Sequence, residues 1–259
     1  MIVDLHNHTP LCNHAEGEPE AYIKAAIEAG SRYFGFADHA PMDYDPKYRM
    51  GFADMARYEA EVLRLKESYK EHIEILLGYE VDYLEGHMDE RVLNAKVDYL
   101  IGSVHFIGDW GFDNPEFIGR YEHEDIDAVW QKYFDAIEAM AKSELFQIVG
   151  HLDLIKVFKY MPTKPILSIA SNALLAIKES GMALELNVAG YRKPVAEPYP
   201  SLELLQEANR LGIPITFASD AHKPEQVNLF ENAIVSHAKA AGYSECVYFI
   251  DKEMHRIPF

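Results

Sequence analysis

A chain of 259 residues, 49% apolar and 25% charged, has the make-up of a folded globular protein and can bury the core of one barrel-sized domain or of two smaller ones. Its 42 acidic and 24 basic residues leave a formal net charge of -18, a field that repels polyanions and argues against a nucleic-acid surface built on phosphate neutralisation. The two cysteines, Cys12 and Cys246, give no disulfide framework and suit a cytoplasmic setting, and no stretch has the roughly 20 apolar residues of a membrane span or the pattern of a secretory leader.

Residues 1–6 read as a first strand and 20–29 (EAYIKAAIEA) as a helix closed by Gly30. "YFGFAD" follows, with a helix over 53–70 whose Tyr58, Val62, Leu65 and Tyr69 form one apolar stripe facing a sheet. Next come "IEILLGYEVDY" with a short helix near 88–96, and "VDYLIGSVHFI" with a long helix over 125–142. "FQIVGHLDLI" precedes a helix over 168–180 stopped by Gly181, "MALELNV" one over 201–211 stopped by Gly212, and "IPITFASDAH" one over 230–241 stopped by Gly242. These are seven strand-helix units with no linker or shift in composition between them, which predicts a single α/β domain over 1–259 built as a closed βα barrel. A doubly wound open sheet is the alternative. "CVYFI" at 246–250 has no helix after it and either adds an eighth strand or packs outside the barrel.

Every predicted strand ends on a group able to bind a metal or a hydrogen: His6 and His8, Asp38 and His39, Glu80 and Asp82, His105, His151 and Asp153, Asn187, and Asp220 with His222. In a βα barrel those ends meet on one face, so residues from opposite ends of the chain share a pocket. On an extended strand, positions i and i+2 point the same way, which lets His6 and His8 grip one ion while Asn7 faces away; "DAH" at 220–222 repeats that spacing. Imidazoles and carboxylates without cysteine ligands suit zinc, iron or manganese in a reactive site, and the ligands, with His14 added, outnumber what one ion can take, so two or three divalent ions are expected. His72, His87, His123, His237 and His255 fall on helix faces, loops or the tail and are set aside.

The motifs "DLHNHT", "ADHA", "GYEVD", "SVHF", "GHLD", "LNVAG" and "SDAH", in this order over nearly the whole chain, resemble those of the PHP (polymerase and histidinol phosphatase) superfamily. "GHLDLIK", "NVAGYRKP" and "YPSLELLQEANRLGIPITFASDAHKPEQV" are similar to its monofunctional histidinol-phosphate phosphatases. The resemblance implies a distorted (β/α)7, TIM-like barrel with a trinuclear metal centre. His6, His8, Glu80 and Asp220 would hold the first ion, Glu80, His105 and His151 the second, and His14, His39 and His222 the third; Glu80, Asp220 and His222 would be the catalytic set. A hydroxide bridging two ions would attack phosphorus.

Arg192 and Lys156, in the loops past the sixth and fifth strands, are the cations expected to clamp the phosphate. Asp4 and Asp153 are expected to orient ligand imidazoles. The implied reaction is hydrolysis of L-histidinol phosphate to L-histidinol and phosphate in histidine biosynthesis, by an enzyme that meets a small phosphate ester, touches neither nucleic acid nor membrane, and is free to form a homo-oligomer. The alternatives are a phosphoesterase of the same scaffold acting on small nucleotides or other phosphate esters, and a metal-binding module without activity. Carboxylates and aromatics in "PMDYDPKY" and "GDWGFDNPEF" are suited to reading the ammonium and imidazole of such a substrate.

Overall fold

The apolar runs pair in parallel, each with the next, in the computed structural model, which describes residues 1–259. Strands β1 (Val3–Asp4), β2 (Tyr33–His39), β3 (Glu74–Asp82) and β4 (Tyr99–Ser103) follow one another round the sheet. A small antiparallel hairpin, β5 (Phe106–Ile107) with β6 (Trp110–Gly111), then interrupts the series, and β7 (Ile148–Val149), β8 (Ala183–Asn187) and β9 (Ile215–Ala218) complete the seven-stranded sheet. Leu5 N–H donates to the Phe217 carbonyl at 3.0 Å, Asp220 N–H donates to the His6 carbonyl at 2.8 Å, and Asn7 pairs with Ala221. These contacts bring β9 back against β1 and make the distorted seven-unit barrel, not the open sheet.

Helices α1 (Pro19–Glu28), α2 (Met55–Tyr69), α3 (Glu90–Leu93), α4 (Ile126–Lys142), α5 (Ile166–Ser180), α6 (Leu202–Leu211) and α7 (Glu231–Ala240) alternate with the barrel strands. On α2, Tyr58, Val62 and Leu65 are buried as the stripe requires, while Tyr69 is partly covered and donates to Glu20. Asp125 caps α4 by accepting from the N–H groups of Asp127 and Ala128. Gly181 (φ 74°) and Gly212 (φ 77°) end α5 and α6 in the left-handed conformation that glycine adopts without penalty.

The barrel interior is filled from β4. Tyr99 reaches across to donate its hydroxyl to the Leu5 carbonyl, and a side chain at Gly35 or Gly78 would collide with its ring. Two glycines on neighbouring strands thus make room for one aromatic plug.

The sequence-based outline differs from the structure in three places. β1 and β7 are two residues each, α3 is a single turn, and a β5–β6 hairpin runs from the end of "VDYLIGSVHFI" into "GDWGFDNPEF". Residues 246–250 lie outside the barrel, in β10 (Glu245–Ile250), which pairs antiparallel with β11 (Glu253–Pro258). The turn between them puts Asp251 and Lys252 at φ 50° and 66°, the left-handed pair of a tight hairpin, so the run folds back on itself. This hairpin seats at the strand starts: Tyr248 stacks on Tyr33 at 3.7 Å, and Asp98 accepts from the Asp251 and Lys252 N–H groups at 3.2 and 2.8 Å. No helix is long and apolar enough to cross a membrane.

Candidate metal centre

At the opposite end, the strands deliver their last residues to one place. His6 and His8 leave β1 on the same side, ring centroids 4.9 Å apart, while Asn7 turns away to donate to the Gly35 carbonyl at 3.1 Å. Glu80, near the end of β3, is the point on which the imidazoles converge. Its Oε2 lies 3.2 Å from His6 Nε2, 3.8 Å from His8 Nε2 and 2.9 Å from His39 Nδ1. Its Oε1 lies 3.0 Å from His151 Nε2 and 3.6 Å from His105 Nε2.

Asp220 Oδ1 is 3.2 Å from His8 Nε2, and His14 Nε2 meets His222 Nε2 at 2.9 Å. Four groups of three residues have ligand atoms within 4.8 Å of one another: His6, His8 and Glu80; Glu80, His105 and His151; His14, His39 and His222; and His8, Cys12 and His222. All nine residues expected at the centre are therefore together, and Cys12, which sequence reasoning treated only as a redox marker, lies among them. None of the five histidines set aside belongs to a group.

The carboxylates that orient these rings are not the ones expected. Asp4 accepts from the Ser219 N–H and hydroxyl, and Asp153 accepts from Ser201 N–H and pairs with Lys156; neither bonds an imidazole. The work falls to Glu185, Asp38 and Asp82. Glu185 sits against His6 Nδ1, Asp38 is 3.4 Å from His8 Nδ1, and Asp82 is 2.7 Å from His105 Nδ1. Asp38 and Asp82 sit beside the ligands at the ends of β2 and β3, while Glu185 is inside β8. The signal for Glu185 was present in "MALELNV": a lone carboxylate between two leucines inside the strand, which is costly to bury unpaired.

Charge follows from this packing. Burial opposes ionisation of Glu80, but the surrounding His39, His6 and His105 outweigh it and hold the carboxyl well below its usual range. Burial likewise opposes charge on His105, yet Asp82 and Glu80 prevail and hold the ring up at about 10. Burial and the positive field of His8 push His39 down to about 4 against the pull of Glu80, and push His222 well below the ordinary value against Asp220. The centre thus sets an anionic Glu80 among neutral His39 and His222 and a protonated His105, and a metal bound there would displace the His105 proton.

Above the centre opens a cavity of about 740 Å³ whose walls include Phe106 and the expected loops, through Tyr44, Tyr48 and Phe117. Arg192 lines it. One guanidinium nitrogen donates to the Ser219 and Asp220 carbonyls at 2.9 and 2.8 Å, bracing Asp220 in its left-handed conformation (φ 48°), and the other, Nη1, is buried without a partner. Lys156 lies elsewhere than expected. It is 1% exposed, with Nζ 2.9 Å from Asp153 and 2.8 Å from the Pro198 carbonyl, and it does not line the cavity. Besides Arg192, the loop cations that do are Arg49, whose guanidinium pairs with Asp82, and the exposed Lys193.

These donors fit divalent metal. His6 Nε2 and His151 Nδ1 are buried without a hydrogen-bond partner, and imidazole with carboxylate is the donor set of zinc, iron and manganese. The sequence matches the PHP domain model over residues 4–189. It is 41% identical over 239 residues, 90% of this chain and 91% of the other, to a probable histidinol-phosphatase of Deinococcus radiodurans. It is also 32% identical to the histidinol-phosphatase of Bacillus subtilis, over 86% of this chain and 94% of that one. The fold superposes with a TM-score of 0.80, at 23% identity and 98% coverage of both chains, on a histidinol phosphate phosphatase of Lactococcus lactis complexed with zinc, L-histidinol and phosphate. By this match, with histidines and carboxylates gathered where its strands end, the chain belongs to the PHP domain family.

Proposed function

We propose that this protein is a metal-dependent phosphomonoesterase, a histidinol-phosphatase, that hydrolyses L-histidinol phosphate to L-histidinol and inorganic phosphate. The observation that carries the reaction class is Glu80, one carboxylate with an imidazole set on each oxygen, at the floor of a cavity with an unpartnered arginine nitrogen in its wall. Support for the substrate comes from the relatives named histidinol-phosphatase at 41% and 32% identity.

In this reading His6, His8, Glu80 and Asp220 hold one divalent ion, Glu80, His105 and His151 a second, and His14, His39 and His222 a third. Such ions, when bound, supply Lewis acidity that acidifies water and offsets phosphoryl charge. Arg192 Nη1 donates to a phosphoryl oxygen and aligns the ester for in-line displacement. Asp220, with Oδ2 held by the Asn187 amide at 3.0 Å, and His222 flank the reacting group. The whole of 1–259 acts as one domain, in the cytoplasm and within histidine biosynthesis, a setting that the two unpaired, buried cysteines suit.

The test is turnover. The purified protein loaded with manganese, iron or zinc should release phosphate from histidinol phosphate with kcat/KM of about 10⁴ M⁻¹s⁻¹ or more. Equal or faster release from nucleoside monophosphates or simple aryl phosphates would instead favour the broader phosphoesterase reading.

A further inference from the structure

The cavity holds three carboxylates besides those at the metal centre: Asp45, Asp109 and Asp113. Two of them face cations. Asp45 Oδ2 is 4.0 Å from Arg49, and the exposed Asp109 pairs with Arg120 at 3.0 Å. Asp113 has neither an ion pair nor a hydrogen bond. His105, Lys193 and His151 lie around it and favour its charged form, but none is within pairing distance, and burial pushes its carboxyl up.

The carboxylate is nonetheless firmly placed. On one side Phe112 is fully buried edge-on against Tyr133, with its N–H on the His105 carbonyl at 3.3 Å. On the other side Asn114 caps the turn Pro115–His123 by accepting from Glu116 N–H at 2.9 Å. A half-buried carboxylate held by its neighbours at the cavity wall, with no protein partner, is open to pairing with a ligand cation.

Position selects the kind of cation. In histidinol phosphate the ammonium is on the carbon next to the one bearing the ester oxygen, so with the phosphate at the metal centre it stays close to the ligands, while the imidazole extends outward. Asp113 is the free carboxylate beside His105 and His151; the aromatic walls of Tyr44 and Phe117 are suited to the ring.

We propose that Asp113 binds the primary ammonium of the substrate and makes the site selective for phosphate esters carrying an amine on the carbon adjacent to the ester carbon. This rests on the phosphomonoesterase reading but not on histidinol phosphate being the substrate. Ethyl phosphate and 2-aminoethyl phosphate differ only in that amine, and the readout is the ratio of their kcat/KM values, measured beside histidinol phosphate in wild type and Asp113→Asn.

Wild type should prefer the amine, and Asp113→Asn should shrink that preference by roughly tenfold to a hundredfold, the scale of one charge-assisted hydrogen bond. Loss of histidinol phosphate turnover should accompany it. A wild type without the preference, or a variant that keeps it, overturns the role of Asp113. Poor wild-type turnover of histidinol phosphate, with the amine preference present and lost in the variant, overturns the substrate assignment and leaves this role standing.

Discussion

Glu185 Oε1 sits against Nδ1 of the fully buried His6, and its Oε2 accepts the backbone N–H of His151 at 2.7 Å. One carboxylate on β8 therefore fixes the ring of one proposed ligand and the backbone of another. His151 needs such a hold, because its φ of 20° is at the edge of the left-handed region. Replacing the partner of a ligand histidine typically costs 10–100-fold in metal affinity. Glu185→Gln should show a loss of roughly that size when metal is titrated into the metal-free protein, with activity recovering at high metal; unchanged affinity would remove Glu185 from the centre.

His105 should make metal loading a proton-releasing step. Its ring, held up at about 10 between Asp82 and Glu80, carries a proton at pH 8 that a metal must displace. Calorimetric titrations in buffers of different ionisation enthalpy should report net proton release, and affinity should climb with pH up to about 10. The metal-free fold follows the opposite sign. Because the folded value is raised above the ordinary 6.5, stability from the His105–Asp82 pair is complete below 6.5 and is lost as pH approaches 10. A pH-independent metal affinity would contradict both statements.

Arg192 and Lys156 should separate cleanly. Arg192→Ala removes a guanidinium from the cavity wall and should raise KM for phosphate esters, and Ki for inorganic phosphate, by roughly tenfold to a hundredfold. Lys156→Met should instead strand the buried Asp153 carboxylate, costing about 3–5 kcal/mol of stability, while the folded fraction keeps its kcat/KM. Melting curves beside steady-state kinetics would tell these apart. A kinetic defect in Lys156→Met without a lower Tm would return that lysine to the phosphate site.

The Arg49–Asp82 pair joins the loop after β2 to His105, a proposed ligand, with both side chains nearly inaccessible, at 5% and 2% exposure. Asp82→Ala should leave the buried Arg49 guanidinium with Asp45 alone, 4.0 Å away, and free the His105 ring, lowering stability by about 3 kcal/mol and weakening metal binding together. Stability that falls while metal affinity holds would show that Asp82 serves only the arginine.

The residues gathered at the barrel rim were legible because the pattern is local: an apolar run, then a histidine or carboxylate, as in "DYLIGSVH" or "PITFASDAH". Partnerships were not. Asp4 and Asp153 stand two residues from His6 and His151 along the chain, yet they bond Ser219, Ser201 and Lys156, while His6 is served by Glu185, 179 positions away. Proximity in sequence fixes which face a side chain shares, not which atom it meets across the barrel. Lys156 misled for the same reason: its loop was read correctly, but its side chain turns to Asp153 and the Pro198 carbonyl.

By itself, then, the sequence determined the alternation of strands and helices, the gathering of His6, His8, His39, Glu80, His105, His151, Asp220 and His222 at one rim, and an acidic balance that argues against a nucleic-acid surface. Periodicity and strand-end position are properties of short segments, and parallel packing carries them into space without further information. Only the tertiary structure decided that Glu185 and Asp82 orient the rings, that 246–250 folds into a hairpin outside the barrel, and that Asp113 is left without a partner in the cavity. Those outcomes depend on which buried charges find each other across strands, and the cost of leaving one unpaired is set by the whole fold.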